Sequence, residues 1–137
     1  MSHSVLEATA TATGVDIDSA QLAPRPADAD PNTIAAVTHP EAEALLAASL
    51  AAGGDLVAVY SKPGCPDCVA TVRNLIKHQV PFVKLDVMAD GEALQHVLST
   101  GQRRMPFLRT AAGKTWTGYN MAELLEHRRG LAALAAA

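Results

Sequence analysis

A chain of 137 residues with 49% apolar side chains can bury one core, but aromatic residues make up only 4%, so Ala, Val and Leu must build it. The formal net charge of -3 is too mild for nucleic acid or a membrane surface to be the main partner, and no apolar stretch approaches the roughly 18 residues that cross a bilayer. The first thirty residues lack the basic start and apolar block of a secretory signal and are acidic and poor in arginine, unlike a transit peptide, so a cytoplasmic location is expected.

Charge is unevenly spread. Residues 1–54 hold seven acids against one base, Arg25, whereas residues 55–137 hold ten bases against seven acids. Residues 1–37 are rich in Ala, Thr, Asp and Pro with no sustained period, and Pro24, Pro26 and Pro31 remove backbone donors; a disordered acidic leader is expected there. Thr38-His39-Pro40-Glu41 reads as a capping box. It opens a helix with the stripe Leu45, Leu46 and Leu50, ended by Gly53-Gly54, so that 38–54 form an N-terminal helical segment before a domain over 55–137.

The domain opens on Asp55 to Tyr60, a near-continuous apolar run as in a strand buried on both faces. A loop, Ser61 to Gly64, leads to a helix from Pro66 to about Gln79, and Phe82 to Val87 read as a second strand. Asp90 caps a helix carrying Ala93, Leu94, Val97 and Leu98 that stops at Gly101. Strands at Pro106–Thr110 and Lys114–Thr117 flank the turn Ala111-Ala112-Gly113. Asn120 with Glu123 caps a last helix running through Leu124 and Leu125 toward Gly130. The first β-α-β crossover fixes a parallel pair and the hairpin an antiparallel one, which together predict a four-stranded mixed sheet with helices on both faces.

The only cysteines, Cys65 and Cys68, are three residues apart, too close to join distant parts of a fold. In a reducing compartment such a pair is catalytic or metal-binding. Cys65 falls at the start of a helix, where free N–H groups and the helix dipole favour a thiolate. Lys62 adds positive charge nearby and Asp67 opposes it. Cys68 shares a helical face with Val72, Leu75 and Ile76, so it points toward the core beneath an exposed Cys65. That asymmetry suits thiol–disulfide exchange: Cys65 attacks, and Cys68 resolves the mixed disulfide. Zinc would need two further ligands; no third cysteine exists, and His3, His39, His78, His96 and His127 show no paired spacing, so no metal site is expected. An inert buried pair is the other alternative.

From Val57 onward the sequence resembles the glutaredoxin branch of the thioredoxin superfamily, most closely the NrdH-type redoxins that donate hydrogen to class Ib ribonucleotide reductases. The resemblance rests on Val59-Tyr60-Ser61-Lys62-Pro63-Gly64-Cys65 with Cys68-Val69-Ala70-Thr71, on Met105-Pro106 where the superfamily keeps a cis-proline, and on Trp116-Thr117-Gly118-Tyr119, similar to the NrdH Trp-Ser-Gly-Phe motif. It implies a thioredoxin-like (glutaredoxin) fold, here with an extra N-terminal helix and the disordered leader. Cys65 and Cys68 would be the catalytic pair, supported by Lys62, Pro66, Asp67, Met105 and Pro106. Trp116, Thr117, Gly118 and Tyr119 would meet the partner. No bound cofactor is implied; electrons would come from NADPH through thioredoxin reductase and pass to protein disulfides, ribonucleotide reductase among them, with the carrier a monomer.

Departures qualify the match. Pro66-Asp67 is closer to a glutaredoxin pattern, Met105 replaces the usual Val, and Val59 stands where thioredoxins bury an Asp. After Gly118 the acidic residues that hold glutathione's amino end are missing, since Tyr119-Asn120-Met121 follows. Two alternatives therefore accompany the reductase-fed reading: a glutaredoxin using a low-molecular-weight thiol in a pocket near Lys62, Met105 and Gly118, and a non-enzymatic adaptor of the same fold.

Overall fold

A computed structural model of the chain describes residues 18–136. Strand β1 (Val57–Ser61) is followed by β2 (Phe82–Asp86), β3 (Phe107–Thr110) and β4 (Thr115–Thr117), and helices α1 (His39–Ala51), α2 (Pro66–Lys77), α3 (Gly91–Ser99) and α4 (Met121–Ala136) complete the order. The strands form one sheet in the order β2-β1-β3-β4. β1 runs parallel to β2 and antiparallel to β3, and β3 pairs antiparallel with β4. This is the four-stranded mixed sheet expected from the crossover and the hairpin.

Every residue of β1 is buried because the sheet is covered on both faces. Ala58 and Tyr60 face α1 and α3, where Ala42, Leu45, Leu46, Ala93 and Val97 close one core. Val57 and Val59 face the other way, into a second core with Val72, Leu75 and Ile76 of α2 and Leu124 of α4. Alternation along a strand with period 2 sends consecutive residues to opposite cores. The caps read from the sequence are formed: Thr38 and Glu41 make the reciprocal box, and Asp90 accepts from the N–H groups of Glu92 and Ala93.

Three expectations are corrected. The buried stripe of α1 is Ala42, Leu45, Leu46 and Ser49, while Leu50 is 52% exposed. Position 49, not 50, continues the i, i+3, i+4, i+7 pattern, and its hydroxyl accepts the N–H of Leu56 at 3.0 Å. Secondly, α4 does not stop near Gly130 but continues to Ala136. Leu131 packs on the second core and the Ala-rich end favours helix, which offsets the roughly 1 kcal/mol cost of an interior glycine.

The third correction concerns the leader. Residues 1–17 of the segment expected to be disordered lie outside the described residues, but residues 18–37 are laid against the domain. They form two short 3-10 turns, Ser19–Leu22 and Pro31–Thr33, each opened by an aspartate that accepts a backbone N–H. Ala29 and Ile34 pack on the second core and Leu22 on the first. The reason is the sheet order: β2 is an edge strand whose open side needs cover. Val37 donates its N–H to the Lys84 carbonyl at 2.8 Å, Gln79 Nε2 donates to the Arg25 carbonyl at 3.1 Å, and the Arg25 guanidinium lies over the Phe82 ring.

His127 gives the fold a pH dependence. It is buried in α4 beside Trp116, with Nε2 2.9 Å from the Asp55 carbonyl. Burial lowers its pKa below the ordinary value, partly countered by Asp55. With the folded pKa below the unfolded one, the unfolded chain binds more protons in the interval between them, so stability is full above about pH 6.5 and falls as pH drops through that interval. Urea midpoints measured from pH 7.5 to 5 are expected to decline, and His127→Gln should flatten part of that decline. A slope unchanged in His127→Gln would remove this residue from the account.

Candidate active site

The first strand delivers the chain to the site. β1 ends at Ser61, the loop 62–64 turns at Gly64 with φ of 72°, and Cys65 becomes the N-cap of α2 with Pro66 at the first helical position. The Cys65 sulfur accepts the N–H of Cys68 at 3.2 Å, and the Cys65 carbonyl accepts that of Val69 at 3.2 Å. A side-chain acceptor is what an N-cap requires. Here the acceptor is sulfur, so the helix N-terminus that would stabilise an Asp or Ser cap instead stabilises a thiolate.

Cys65 and Cys68 are joined as a disulfide. Cys68 lies on the buried face of α2 with Val72, Leu75 and Ile76, as the helical spacing predicts. The contrast in exposure is smaller than expected: Cys65 is 8% exposed and Cys68 4%. In the disulfide each sulfur covers the other. What distinguishes the two is the cap, since only the Cys65 sulfur sits at the end of the helix axis where the unpaired N–H groups converge.

Strand register brings the later motifs to the same end of the sheet. Tyr60, the last β1 residue paired with β3, stands opposite Phe107, so Pro106 lies beside the end of β1. The Met105-Pro106 peptide is cis. Phe107 pairs with Thr117 on its other side, and Gly118 donates its N–H to the Pro106 carbonyl at 2.8 Å. Gly118 has φ of 77°, and its open face is filled by the Arg104 guanidinium, about where a β-carbon would point. Asn74 of α2 donates to the Tyr119 hydroxyl at 3.2 Å, tying this motif to the helix that carries the cysteines.

The supporting residues divide by exposure. Lys62, Pro66 and Asp67 are exposed around the disulfide, Met105 is half-buried against the α1–α3 core, and Pro106 is buried. Trp116 is placed differently from the expected partner contact. It is 7% exposed, packed in the second core against His127, with Lys114 above its ring. The exposed member of that motif is Tyr119. Sequence reasoning also missed a cavity of about 260 Å³ beside Cys68, lined by Lys62, Lys84, Asp86 and Asn32 among others. Asn32 reaches it only because the leader folds back, which no local pattern signals. Met105 and Gly118, where a thiol pocket was expected, do not line it.

A disulfide capping a helix at the carboxyl end of the first strand of a thioredoxin-like sheet defines a thiol–disulfide oxidoreductase. Residues 57–111, from β1 through β3, match the family model for glutaredoxin. Among solved structures, the chain is similar to mitochondrial thioredoxin 3 from Saccharomyces cerevisiae, with 20% identity and a TM-score of 0.54 over 75% of this chain and 100% of that one. It is likewise similar to thioredoxin from Trichomonas vaginalis, with 21% identity and a TM-score of 0.51 over 74% and 98%. The NrdH-redoxin from Escherichia coli is 24% identical over 52% of this chain and 92% of that one, with a TM-score of 0.49. No curated protein matches the sequence. The two thioredoxins establish the shared fold.

Proposed function

We propose that the chain is a small dithiol electron carrier of the NrdH-redoxin type, reduced by thioredoxin reductase at the expense of NADPH and donating to protein disulfides in the cytoplasm, ribonucleotide reductase among them. The observation that carries this reading is the Cys65 sulfur at the N-cap of α2, accepting the N–H of its own disulfide partner. In the reduced protein the Cys65 thiolate attacks one sulfur of a target disulfide, and the other target sulfur leaves as a thiolate. Cys68 then loses its proton and attacks the Cys65 sulfur, releasing the second target thiolate. Two electrons pass to the target, and the Cys65–Cys68 disulfide remains.

Two features of the sequence favour a flavoprotein reductase over glutathione as the electron source. The Trp116-Thr117-Gly118-Tyr119 motif resembles that of NrdH redoxins, and no acidic pair follows Gly118 to hold glutathione's amino end. Purified protein, thioredoxin reductase and insulin disulfide are expected to oxidise NADPH continuously, without added thiol. Turnover that appears only with glutathione and glutathione reductase would replace this reading with a thiol-dependent glutaredoxin.

A further inference from the structure

Away from the disulfide, two helices bring together residues that lie far apart in the chain. His39 opens α1, and Glu43 stands one turn later on the same face. His96 projects from α3, and its ring lies 5.1 Å from that of His39, centroid to centroid. One donor atom from each of the three residues falls within 4.8 Å of the others, and His39 Nε2 is 3.3 Å from Glu43 Oε1. A zinc ion with bonds of about 2.0–2.2 Å to nitrogen and oxygen holds neighbouring tetrahedral donors about 3.3 Å apart. That 3.3 Å is measured to the oxygen Arg109 also holds, so the ion takes the second Glu43 oxygen, and side-chain torsions bring it and His96 to this separation.

The surroundings are those of a supported ligand set. The other ring nitrogen of His39 faces the Tyr60 hydroxyl at 3.5 Å. Arg109 donates to that hydroxyl through Nε at 3.0 Å and also holds the Glu43 carboxylate. Such outer partners orient a metal-binding imidazole and carboxylate, and the carboxylate keeps a second oxygen beside the one Arg109 occupies. An open depression of about 410 Å³ lined by His39, Gly91, Glu92, Gln95 and His96 leaves room for a water as fourth ligand.

We propose that His39, Glu43 and His96 bind one divalent transition-metal ion of zinc-like preference, which fastens α1, outside the matched stretch 57–111, to α3 within it. The sequence expectation of no metal site rested on the absence of paired histidine spacing, and here the pairing is made across two helices. The reading is independent of the electron-donor proposal, because it uses neither cysteine.

Calorimetric titration of the oxidised full chain with Zn²⁺ tests it, since the Cys65–Cys68 disulfide removes both thiolates as competing ligands. One ion per chain is expected, with binding weakened on the order of 100-fold in Glu43→Gln and in His96→Ala, and unchanged in His78→Ala at the far end of α2. Co²⁺ should give d–d absorption without a thiolate charge-transfer band. Zn²⁺ should raise the melting temperature of the parent chain but not of Glu43→Gln, whose exposed side chain makes misfolding a minor concern. Absence of binding, or equal affinity in the parent chain and Glu43→Gln, would overturn the proposal and leave the three residues as an Arg109-centred polar network.

Discussion

Replacing Cys65 by serine is expected to lower disulfide-reductase turnover on the order of a thousandfold or more while leaving the fold intact. Serine is itself a strong N-cap, so its oxygen can take the Cys68 N–H that the sulfur now accepts at 3.2 Å. What it lacks is a low pKa: a hydroxyl at a helix N-terminus is not ionised near neutral pH, and the attack on a disulfide needs an anionic nucleophile. The loss should therefore appear in kcat/KM, with a melting curve that matches the reduced parent chain, which also lacks the disulfide. Cys68→Ser separates the two roles, because attack still proceeds and release does not. A covalent adduct between that variant and a disulfide-bearing target should be visible by mass spectrometry and vanish on reduction. Reductase activity in Cys65→Ser above about a tenth of the parent would show that the nucleophile lies elsewhere, since removing a nucleophile costs several powers of ten.

The largest stability effect is expected at Phe82. It is fully buried at the start of edge strand β2, faces the second core beside Val57 in register, and is covered on its outer side by Arg25. Phe82→Ala removes a ring from close-packed surroundings and should cost about 3–5 kcal/mol. That is a large part of the 5–15 kcal/mol typical of a domain. With a urea slope of about 1.5 kcal/mol/M, the unfolding midpoint should fall by about 2 to 3 M. The scarcity of aromatics sharpens this expectation: Trp116 is the one other aromatic side chain among the described residues of that core, and its ring is already packed beside His127. A midpoint change equivalent to less than about 1 kcal/mol would mean that Phe82 is not an interior residue.

What could be read locally followed from short-range physics. The capping box at Thr38 and the Asp90 cap depend on bonds within three residues, so they stand in the sequence as they stand in the structure. The same holds for Cys65 at a helix start and for the buried face that runs from Cys68 to Ile76. Strand β1 announces itself because only a strand covered on both faces tolerates Leu56 to Tyr60 without a polar break. Even Gly118, which needs a positive φ beside Pro106, sits in a recognisable motif.

Features that depend on distant partners were decided by tertiary structure. The polar, proline-rich composition of residues 18–37 carries no period, yet the open edge of β2 and the Phe82 ring give that segment a surface to cover. Trp116 reads equally as a core tryptophan and as a partner contact, and β4 turns its indole into the core under α4. The near-equal burial of Cys65 and Cys68 reflects the disulfide and its loop, which helical spacing alone does not encode. Most clearly, His39 and His96 are 57 positions apart and meet because α1 and α3 pack on the same face of the sheet. Alone, then, the sequence determined the redox pair, its place at a helix N-terminus and the order of strands and helices, since each rests on near neighbours. The packing of the leader, the two cores and the histidine cluster depended on the fold, because their energies come from contacts between segments that only the folded sheet brings together.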